Sequence, residues 1–348
     1  MQKISIRPLS VTSLFILYIT LFMFPGQCEN FKPVPYKTGI FLAKPNYPSN
    51  FVQSLASLRD SLWIGTDAGL ARFDGLTWKT FRGDHLVPDG KYRYARIRGN
   101  VPELGAGGVN DILPMDSYIW FATDSGLVRY QTVTDRWYVY NSRNSPLKTD
   151  YIQCVTPFTD KIVIGTWGFG ITIHDPQSNL FSSQVGTGFQ GKYILAVAAD
   201  KFRICVGTLH NGLNIYSPRE NVWENITAAS GKIPSNRINA LERDNKSFFI
   251  GTDKGLVIFN LENRSTSLIT TVNSNLIGNN IKALHHDPQS GLLYVGTTDG
   301  LSIFDGTYWK SVNENQGLPQ NWVSSVTTTG DEIWVGTHDA GIARLKKQ

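Results

Sequence analysis

Side chains that could bind a polar ligand are concentrated in three short segments, each of which follows a repeated Gly-Thr pair. They supply two aromatic rings, two imidazoles, an amide and a carboxylate, on Trp167, Phe169, His210, Asn211, His338 and Asp339. Aromatic faces can stack on sugar rings, while amides and carboxylates hydrogen-bond to hydroxyl groups. We therefore expect these segments to contact an oligosaccharide, with Trp322 as a further candidate contact. The alternative is that these segments only cap the structural units that carry them.

A second group of candidate residues lies in the segment 82–108, which is rich in basic, tyrosine and glycine residues. Arginine side chains bind anionic groups through paired N–H donors, and tyrosine rings pack against sugars. Tyr94 and Arg96 are therefore predicted to form the rim of the same site. The alternative is that this segment is a solvated β-hairpin without a ligand.

The six histidines give weak support for catalysis. No His-x-x-x-His or zinc-ligand spacing is present, and there is neither a Gly-x-Ser-x-Gly motif nor a phosphate-binding glycine loop after a strand. His210 and His338 could act as general acid and base in a lyase or a glycosidase, and this alternative stays open. We expect a binding protein with no catalytic residues, metal or cofactor.

The elements that position these residues are copies of one repeated pattern. Each copy has an apolar strand that ends in Gly-Thr, or once in Ala-Thr, followed after two or three residues by a glycine and another apolar run. The threonines are Thr66, Thr123, Thr166, Thr208, Thr252, Thr297 and Thr337. Successive threonines are 40 to 45 residues apart, except for a 57-residue interval after the first that contains the insertion 82–108.

Each copy predicts four short antiparallel strands. Polar Asp turns, Asp-Gly hairpin signals and alternating apolar residues divide the repeat, and the chain is 12% aromatic with 32 glycines. Four strands in about 43 residues are typical of a propeller blade. The sequence therefore predicts an all-β, seven-bladed β-propeller, with residues 29–348 as one domain.

The chain ends suggest how the ring is closed. The seventh copy stops at its third strand, whereas an additional apolar run, 39–43, precedes the first copy. We predict that this N-terminal run supplies the outer strand of the last blade, because pairing there would protect two exposed sheet edges.

Residues 1–28 are predicted to be a signal peptide. Lys3 and Arg7 precede an apolar stretch, 11–24, that is too short to cross a membrane and is followed by small residues. The protein is thus expected to be exported, to the periplasm or the medium. Lipid attachment at Cys28 is the less favoured alternative, because Gln27 precedes it.

The mature chain gives no sign of a nucleic-acid partner or a disulfide framework. The formal net charge of +5 falls to +3 without Lys3 and Arg7, which is too small to indicate nucleic-acid binding. Only Cys154 and Cys205 remain, and both align with small or core positions of the repeat. We expect two buried, reduced thiols.

The repeated motif also resembles a known family. The pattern Leu-Trp-Ile-Gly-Thr, Gly-Leu and Phe-Asp at 62–74, with Gly-Leu-Pro-Gln-Asn-Trp-Val at 317–323, is similar to the two-component regulator propeller repeat. That family forms the periplasmic sensor region of bacterial hybrid sensor kinases, many of which respond to oligosaccharides. The resemblance covers residues 39–346 and implies a sensory propeller that acts with a membrane sensor kinase or another exported protein. A scaffold that binds only proteins remains a further alternative.

Overall fold

The computed structural model arranges the seven copies as seven antiparallel sheets in a ring, which confirms the predicted β-propeller. The structure describes residues 48–88, 94–115, 117–183 and 185–347, with backbone only for 85–88 and 94–97. The predicted signal peptide (1–28) and closing strand (39–43) lie outside the described residues. The strands are numbered in chain order, and each blade runs from its first strand at the axis to its outer strand.

The first four blades each contain four strands. Blade 1 consists of β1 (Val52–Leu58), β2 (Ser61–Thr66), β3 (Gly69–Phe73) and β4 (Trp78–Phe81). Blade 2 consists of β7 (Val109–Met115), β8 (Tyr118–Thr123), β9 (Gly126–Gln131) and β10 (Arg136–Tyr140). Blade 3 consists of β11 (Ile152–Phe158), β12 (Lys161–Thr166), β13 (Ile171–Asp175) and β14 (Leu180–Ser182). Blade 4 consists of β15 (Ile194–Ala199), β16 (Ile204–Thr208), β17 (Leu213–Ser217) and β18 (Val222–Ile226).

The remaining blades follow the same order. Blade 5 consists of β19 (Ile238–Arg243), β20 (Ser247–Thr252), β21 (Gly255–Asn260) and β22 (Thr266–Ile269). Blade 6 consists of β23 (Ile281–His286), β24 (Leu293–Thr297), β25 (Leu301–Phe304) and β26 (Trp309–Val312). Blade 7 has three strands within the described part of the chain, β27 (Val323–Thr329), β28 (Glu332–Thr337) and β29 (Ile342–Lys346). The insertion contains a separate hairpin of β5 (His85–Pro88) and β6 (Tyr94–Ile97). Single-turn 3₁₀ segments lie at Pro102–Leu104, Ala228–Ser230 and Glu314–Gln316.

The second strand of each blade forms the core. Its residues are almost entirely buried, and the repeated aromatic position, occupied by Trp63, Trp120 and Trp334, is 2% exposed. These rings contact residues of the same and neighbouring blades, as Trp63 does with Phe121, 5.8 Å between ring centroids. Burial of large aromatic rings between sheets supplies much of the apolar area that stabilises the fold.

The glycine of the repeated Gly-Thr pair allows close contact between blades. A Cβ added at Gly251 would lie 2.7 Å from Ile281 at the start of the next blade. A Cβ added at Gly336 of blade 7 would likewise lie 2.6 Å from Val52 of blade 1. The hydroxyl of Ser324 also donates to the carbonyl of Val52, at 2.6 Å. Blades 7 and 1 therefore make the same type of contact as blades that follow each other in sequence, and the ring is closed.

Cys154 and Cys205 are buried in different hydrophobic clusters and are not joined by a disulfide. Cys205 occupies the repeated aromatic position of β16, and Cys154 lies on β11 beside Gly165. Burial raises the pKa of both thiols well above the usual value. Both therefore remain protonated and fill core space.

Candidate functional site

One end of the propeller gathers two sets of equivalent side chains. The first strands contact one another from blade to blade and so surround the axis. The residue before each first strand and the residue after each Gly-Thr pair meet at the same end, because the main chains are hydrogen-bonded, for example from Trp167 N to Tyr151 O at 3.0 Å and from His338 N to Trp322 O at 3.0 Å. We call this end the mouth.

The two sets that define the mouth differ between blades. The residues before the first strands are Phe51, Gly108, Tyr151, Tyr193, Arg237, Asn280 and Trp322. The residues after the Gly-Thr or Ala-Thr pairs are Asp67, Asp124, Trp167, Leu209, Asp253, Thr298 and His338. Blades 3 and 4 are thus rich in aromatic side chains, whereas blades 5 and 6 carry charged and amide groups.

The three longer loops have a structural role as well as exposed side chains. In blades 3, 4 and 7 the loop glycine donates its N–H to a carbonyl that precedes the next blade: Gly170 to Lys192, Gly212 to Asn236 and Gly341 to Asn50, at 2.9, 2.9 and 3.0 Å. These loops therefore connect neighbouring blades. This connection accounts for their length, but it does not require aromatic or imidazole side chains at their tips.

An aromatic platform lies across blades 3 and 4. It comprises Tyr151, Trp167, Phe169, Tyr193 and His210, and its Tyr, Trp and Phe side chains are 40 to 59% exposed. The rings of Trp167 and Tyr193 are 5.1 Å apart in an edge-to-face arrangement, and Tyr193 and His210 are 6.4 Å apart. Exposed aromatic rings held against one another in this way provide a rigid apolar surface beside polar groups.

A groove adjoins the platform. It has a volume of about 570 Å³ and is lined by Phe169, Val185, Phe189 and Lys192 together with several glycines. Its size lies within the range of small-molecule binding clefts, roughly 300 to 1,000 Å³. Of the platform residues, Phe169 lines this groove, so a ligand in the groove would contact the platform through the Phe169 ring.

His338 and Trp322 form a second aromatic cluster, at the junction of blades 7 and 1. Their rings stack with centroids 3.9 Å apart, and His338 also meets Phe51 edge-to-face at 4.2 Å. The Nζ of Lys282 lies 5.5 Å from the centroid of the Trp322 ring. The His338 imidazole is therefore packed between two rings and helps to join the first and last blades.

Of the other predicted contacts, two are exposed loop residues and two lie on the insertion hairpin. Asn211 and Asp339 are exposed; the Asn225 side chain donates to the Asn211 carbonyl at 2.8 Å, and the Asp339 N–H donates to Gln320 Oε1 at 3.1 Å. Tyr94 and Arg96 lie on β6 of the insertion hairpin, but their side chains are outside the described atoms. Trp167 and His210 are thus connected through Tyr193, Phe169 lines the adjoining groove, and Trp322 and His338 form a separate pair.

Sequence reasoning missed several residues of the mouth. Tyr151, Tyr193, Phe51 and Arg237 each precede a first strand, and Lys282 is the second residue of β23. Aligning the seven copies at the residue before the first strand would have revealed this aromatic set. In the described residues, no group of three or more His, Cys, Asp or Glu side chains is arranged to hold a metal ion.

Comparison with solved structures identifies the class of fold. The chain superposes on the extracellular domain assigned to the hybrid two component system BT3049 from B. thetaiotaomicron with a TM-score of 0.71 and 22% identity, covering 90% of this chain and 42% of that one. A second similar structure is the extracellular domain assigned to the hybrid two component system BT4673 from the same organism, with a TM-score of 0.64, 22% identity, and 89% and 39% coverage.

These similarities establish a seven-bladed propeller of the type found in such extracellular domains. The chain spans about two fifths of the length of these structures. No family model matches the sequence, and no curated protein matches it. No helix within the described ranges is long and apolar enough to span a membrane.

Proposed function

We propose that this protein is an exported sensory propeller that binds an oligosaccharide at the mouth, through the aromatic platform of blades 3 and 4. The observation that supports this most directly is the exposed platform of Trp167, Phe169 and Tyr193, in which Phe169 also lines a groove of about 570 Å³. The hydrogen bonds between blades require the loops, but they do not require these aromatic rings. Leaving the apolar area of the rings exposed to water is unfavourable unless a ligand covers it. Sugar rings stacked on them would cover that area.

A membrane-bound sensor kinase or uptake protein is proposed as the partner that transmits binding. The similar extracellular domains are assigned to hybrid two component systems, and their chains are more than twice as long as the part matched here. A propeller that binds a ligand at one end has its other end and its blade sides available for such a partner. Co-purification with a tagged propeller from membranes tests this part of the proposal.

The ligand proposal is tested by a glycan array followed by calorimetric titration of each hit. Replacing Trp167 or Tyr193 by Ala should weaken binding on the order of a hundredfold, because central stacking aromatics typically contribute a few kcal/mol. Phe202, an exposed aromatic at the opposite end of blade 4, provides the matched control: Phe202→Ala should leave binding unchanged.

The same titrations distinguish the alternatives. If a glycan binds and neither Trp167→Ala nor Tyr193→Ala weakens it more than about twofold, the platform is not the site. Conversion of the bound glycan to a shorter or unsaturated product would favour a glycosidase or a lyase that uses His210 or His338. Partner capture without any glycan binding would favour a protein scaffold.

A further inference from the structure

The sector of the mouth formed by blades 5, 6 and 7 contains two cationic side chains beside an aromatic ring. Arg237 precedes β19, Lys282 is the second residue of β23, and Trp322 precedes β27. The Nζ of Lys282 lies 5.5 Å from the centroid of the Trp322 ring. Among the residues that the structure describes, neither Arg237 nor Lys282 forms an ion pair.

The Arg237 guanidinium is held in place by a chain of hydrogen bonds that crosses between blades. Its Nε–H donates to Asn239 Oδ1 at 2.8 Å, and Asn239 Nδ2 donates to the carbonyl of Ile281 in blade 6, also at 2.8 Å. Lys282 follows directly after Ile281. The guanidinium is therefore fixed beside the strand that carries Lys282, and its two terminal nitrogens make no hydrogen bond within the described part of the chain.

The local field disfavours the positive charge of Lys282. Burial lowers the pKa of Lys282, and the positive charge of Arg237 lowers it further, whereas Asp253 acts in the opposite direction with less effect. A half-buried ammonium next to a second cation is stabilised most by an additional anion. The described residues do not supply that anion as an ion pair.

Two hydrogen-bond acceptors of the same sector are also unsatisfied. Asp253 Oδ1 and Asn280 Oδ1 are buried, and neither has a hydrogen-bond partner in the described residues. Asn280 lies two residues before Lys282, and Asp253 interacts electrostatically with Lys282. Buried acceptors normally receive a hydrogen bond, so these two oxygens are polar groups near Lys282 that stay unpaired within the described residues; because they are closed to solvent, they are not themselves contacts for a ligand.

We propose that Arg237 and Lys282 bind the anionic group, carboxylate or sulfate, of an acidic oligosaccharide whose other sugar rings lie on the aromatic platform. This inference rests on the proposed function and narrows its ligand class. The two regions are adjacent, because the N–H of Gly212, at the end of the His210 loop, donates to the carbonyl of Asn236 at 2.9 Å. Asn236 immediately precedes Arg237.

The test compares acidic oligosaccharides with matched neutral forms. Oligogalacturonates and their methyl esters share one backbone and differ in charge, and chondroitin sulfate oligosaccharides are compared with their desulfated forms. Binding of each is titrated calorimetrically at low and high salt against wild type, Lys282→Met, Arg237→Gln and Trp167→Ala. The control is Lys201→Met, which removes an exposed cation at the opposite end of blade 4.

We expect acidic forms to bind more tightly than neutral forms and to weaken with added salt, because exposed charges are screened. Lys282→Met and Arg237→Gln should each weaken acidic binding roughly tenfold to a hundredfold, the range for hydrogen bonds to charged groups. They should leave binding of the methyl esters unchanged. Lys201→Met should leave the binding of both the acidic and the neutral forms unchanged. The two probe series show whether carboxylate or sulfate is preferred.

Equal binding of acidic and neutral forms, or acidic binding that neither cation variant weakens, would overturn this inference. If Trp167→Ala still abolished oligosaccharide binding in that case, the proposed function would stand without the inference of an acidic ligand. If none of these oligosaccharides bound the wild type, the inference of an acidic ligand would fail, whereas the proposed function would still be decided by the glycan array. Because Arg237 is exposed, Arg237→Gln keeps the test valid even if Lys282→Met does not fold.

Discussion

The threonine that ends the second strand of each blade shows how a single side chain sets the loop geometry. Its hydroxyl donates to the carbonyl of the following glycine, at 2.9 Å from Thr66 to Gly69 and 2.7 Å from Thr337 to Gly341. Loops with two intervening residues have that glycine at φ between 127° and 141°, and loops with three have it between 73° and 83°. Both ranges are strained for other residues. Loop length thus selects one of two glycine conformations, and in the longer loops the glycine N–H reaches the next blade.

At the same scale, Glu242 links stability to pH. Its carboxylate accepts N–H groups from Arg243 at 2.8 Å and from His286 of the next blade, yet burial raises its pKa from 4.5 to about 7. The folded protein therefore binds this proton more tightly than the unfolded chain, so the contribution of Glu242 falls as pH rises from 4.5 to 7. His285 acts in the opposite sense between about pH 4 and 6.5, because burial lowers its pKa to about 4.

We predict that Glu242→Gln stabilises the protein at pH 8 and has little effect at pH 4.5, since Gln resembles the protonated acid and keeps the acceptor oxygen. The difference at pH 8 should be at most about 3 kcal/mol. Urea unfolding at both pH values measures it. Glu262→Gln, at an exposed position, is the control. The same stability difference for Glu242→Gln at both pH values would contradict the prediction.

At the scale of the strand pair, the residues opposite the repeated aromatic position vary with it. Where the second strand has Trp, the third strand has Arg at the paired position, as in Trp63–Arg72, Trp120–Arg129 and Trp334–Arg344. The four blades with Val, Cys, Phe or Tyr at this position have Ile there instead. The guanidinium carbons lie 5.4 to 5.8 Å from the Trp centroids. Arginine therefore covers the larger ring by a cation–π contact.

A double-mutant cycle at Trp120 and Arg129 tests this pairing. Trp120→Phe with Arg129→Ile reproduces the Phe249–Ile258 pair of blade 5. We predict that Arg129→Ile destabilises the protein by about 1 kcal/mol more in the presence of Trp120 than in the presence of Phe. Denaturant unfolding of the four proteins gives this coupling energy. Purely additive effects, as expected for Trp120→Phe with the distant Arg219→Gln, would show that the Trp–Arg pair has no specific interaction.

The strands were predictable from the sequence, but the mouth was predictable only in part. Gly-Thr recurrence, alternating apolar residues and Asp-Gly turns are local signals, and they give the seven blades correctly. The contacts of Trp167 with Tyr193 and of His338 with Phe51 join residues of different blades. Such pairs depend on how blades pack, which no local pattern contains. The insertion was predicted to be either the rim of a binding site or a solvated β-hairpin, and the structure contains a hairpin of β5 and β6 there.

At the scale of the whole molecule, the closed ring makes all blade junctions comparable, although only the junction of blades 7 and 1 joins distant parts of the sequence. Val52 packs against Gly336 there, as Ile281 packs against Gly251 between blades 5 and 6. The main-chain hydrogen bond from Gly341 to Asn50 has the same form as the bonds between blades 3 and 4 and between blades 4 and 5. If closure contributes as much stability as the other junctions, equivalent substitutions should have equal effects.

We therefore predict that Gly336→Ala lowers the thermal midpoint as much as Gly251→Ala. Each new Cβ would lie 2.6 to 2.7 Å from a β-branched side chain of the neighbouring blade, and at Gly336 it would also meet Ser325 Oγ of blade 7, an overlap that rotation of this hydroxyl relieves. Overpacking against the neighbouring blade costs about 1 to 3 kcal/mol, or several degrees. Ala122→Gly is the control, since blade 2 already has Ala at this position. Scanning calorimetry provides the midpoints. A near-neutral Gly336→Ala beside a destabilising Gly251→Ala would mean that blades 7 and 1 separate readily, because an open junction relieves the overlap between the added methyl group and Val52 at little cost.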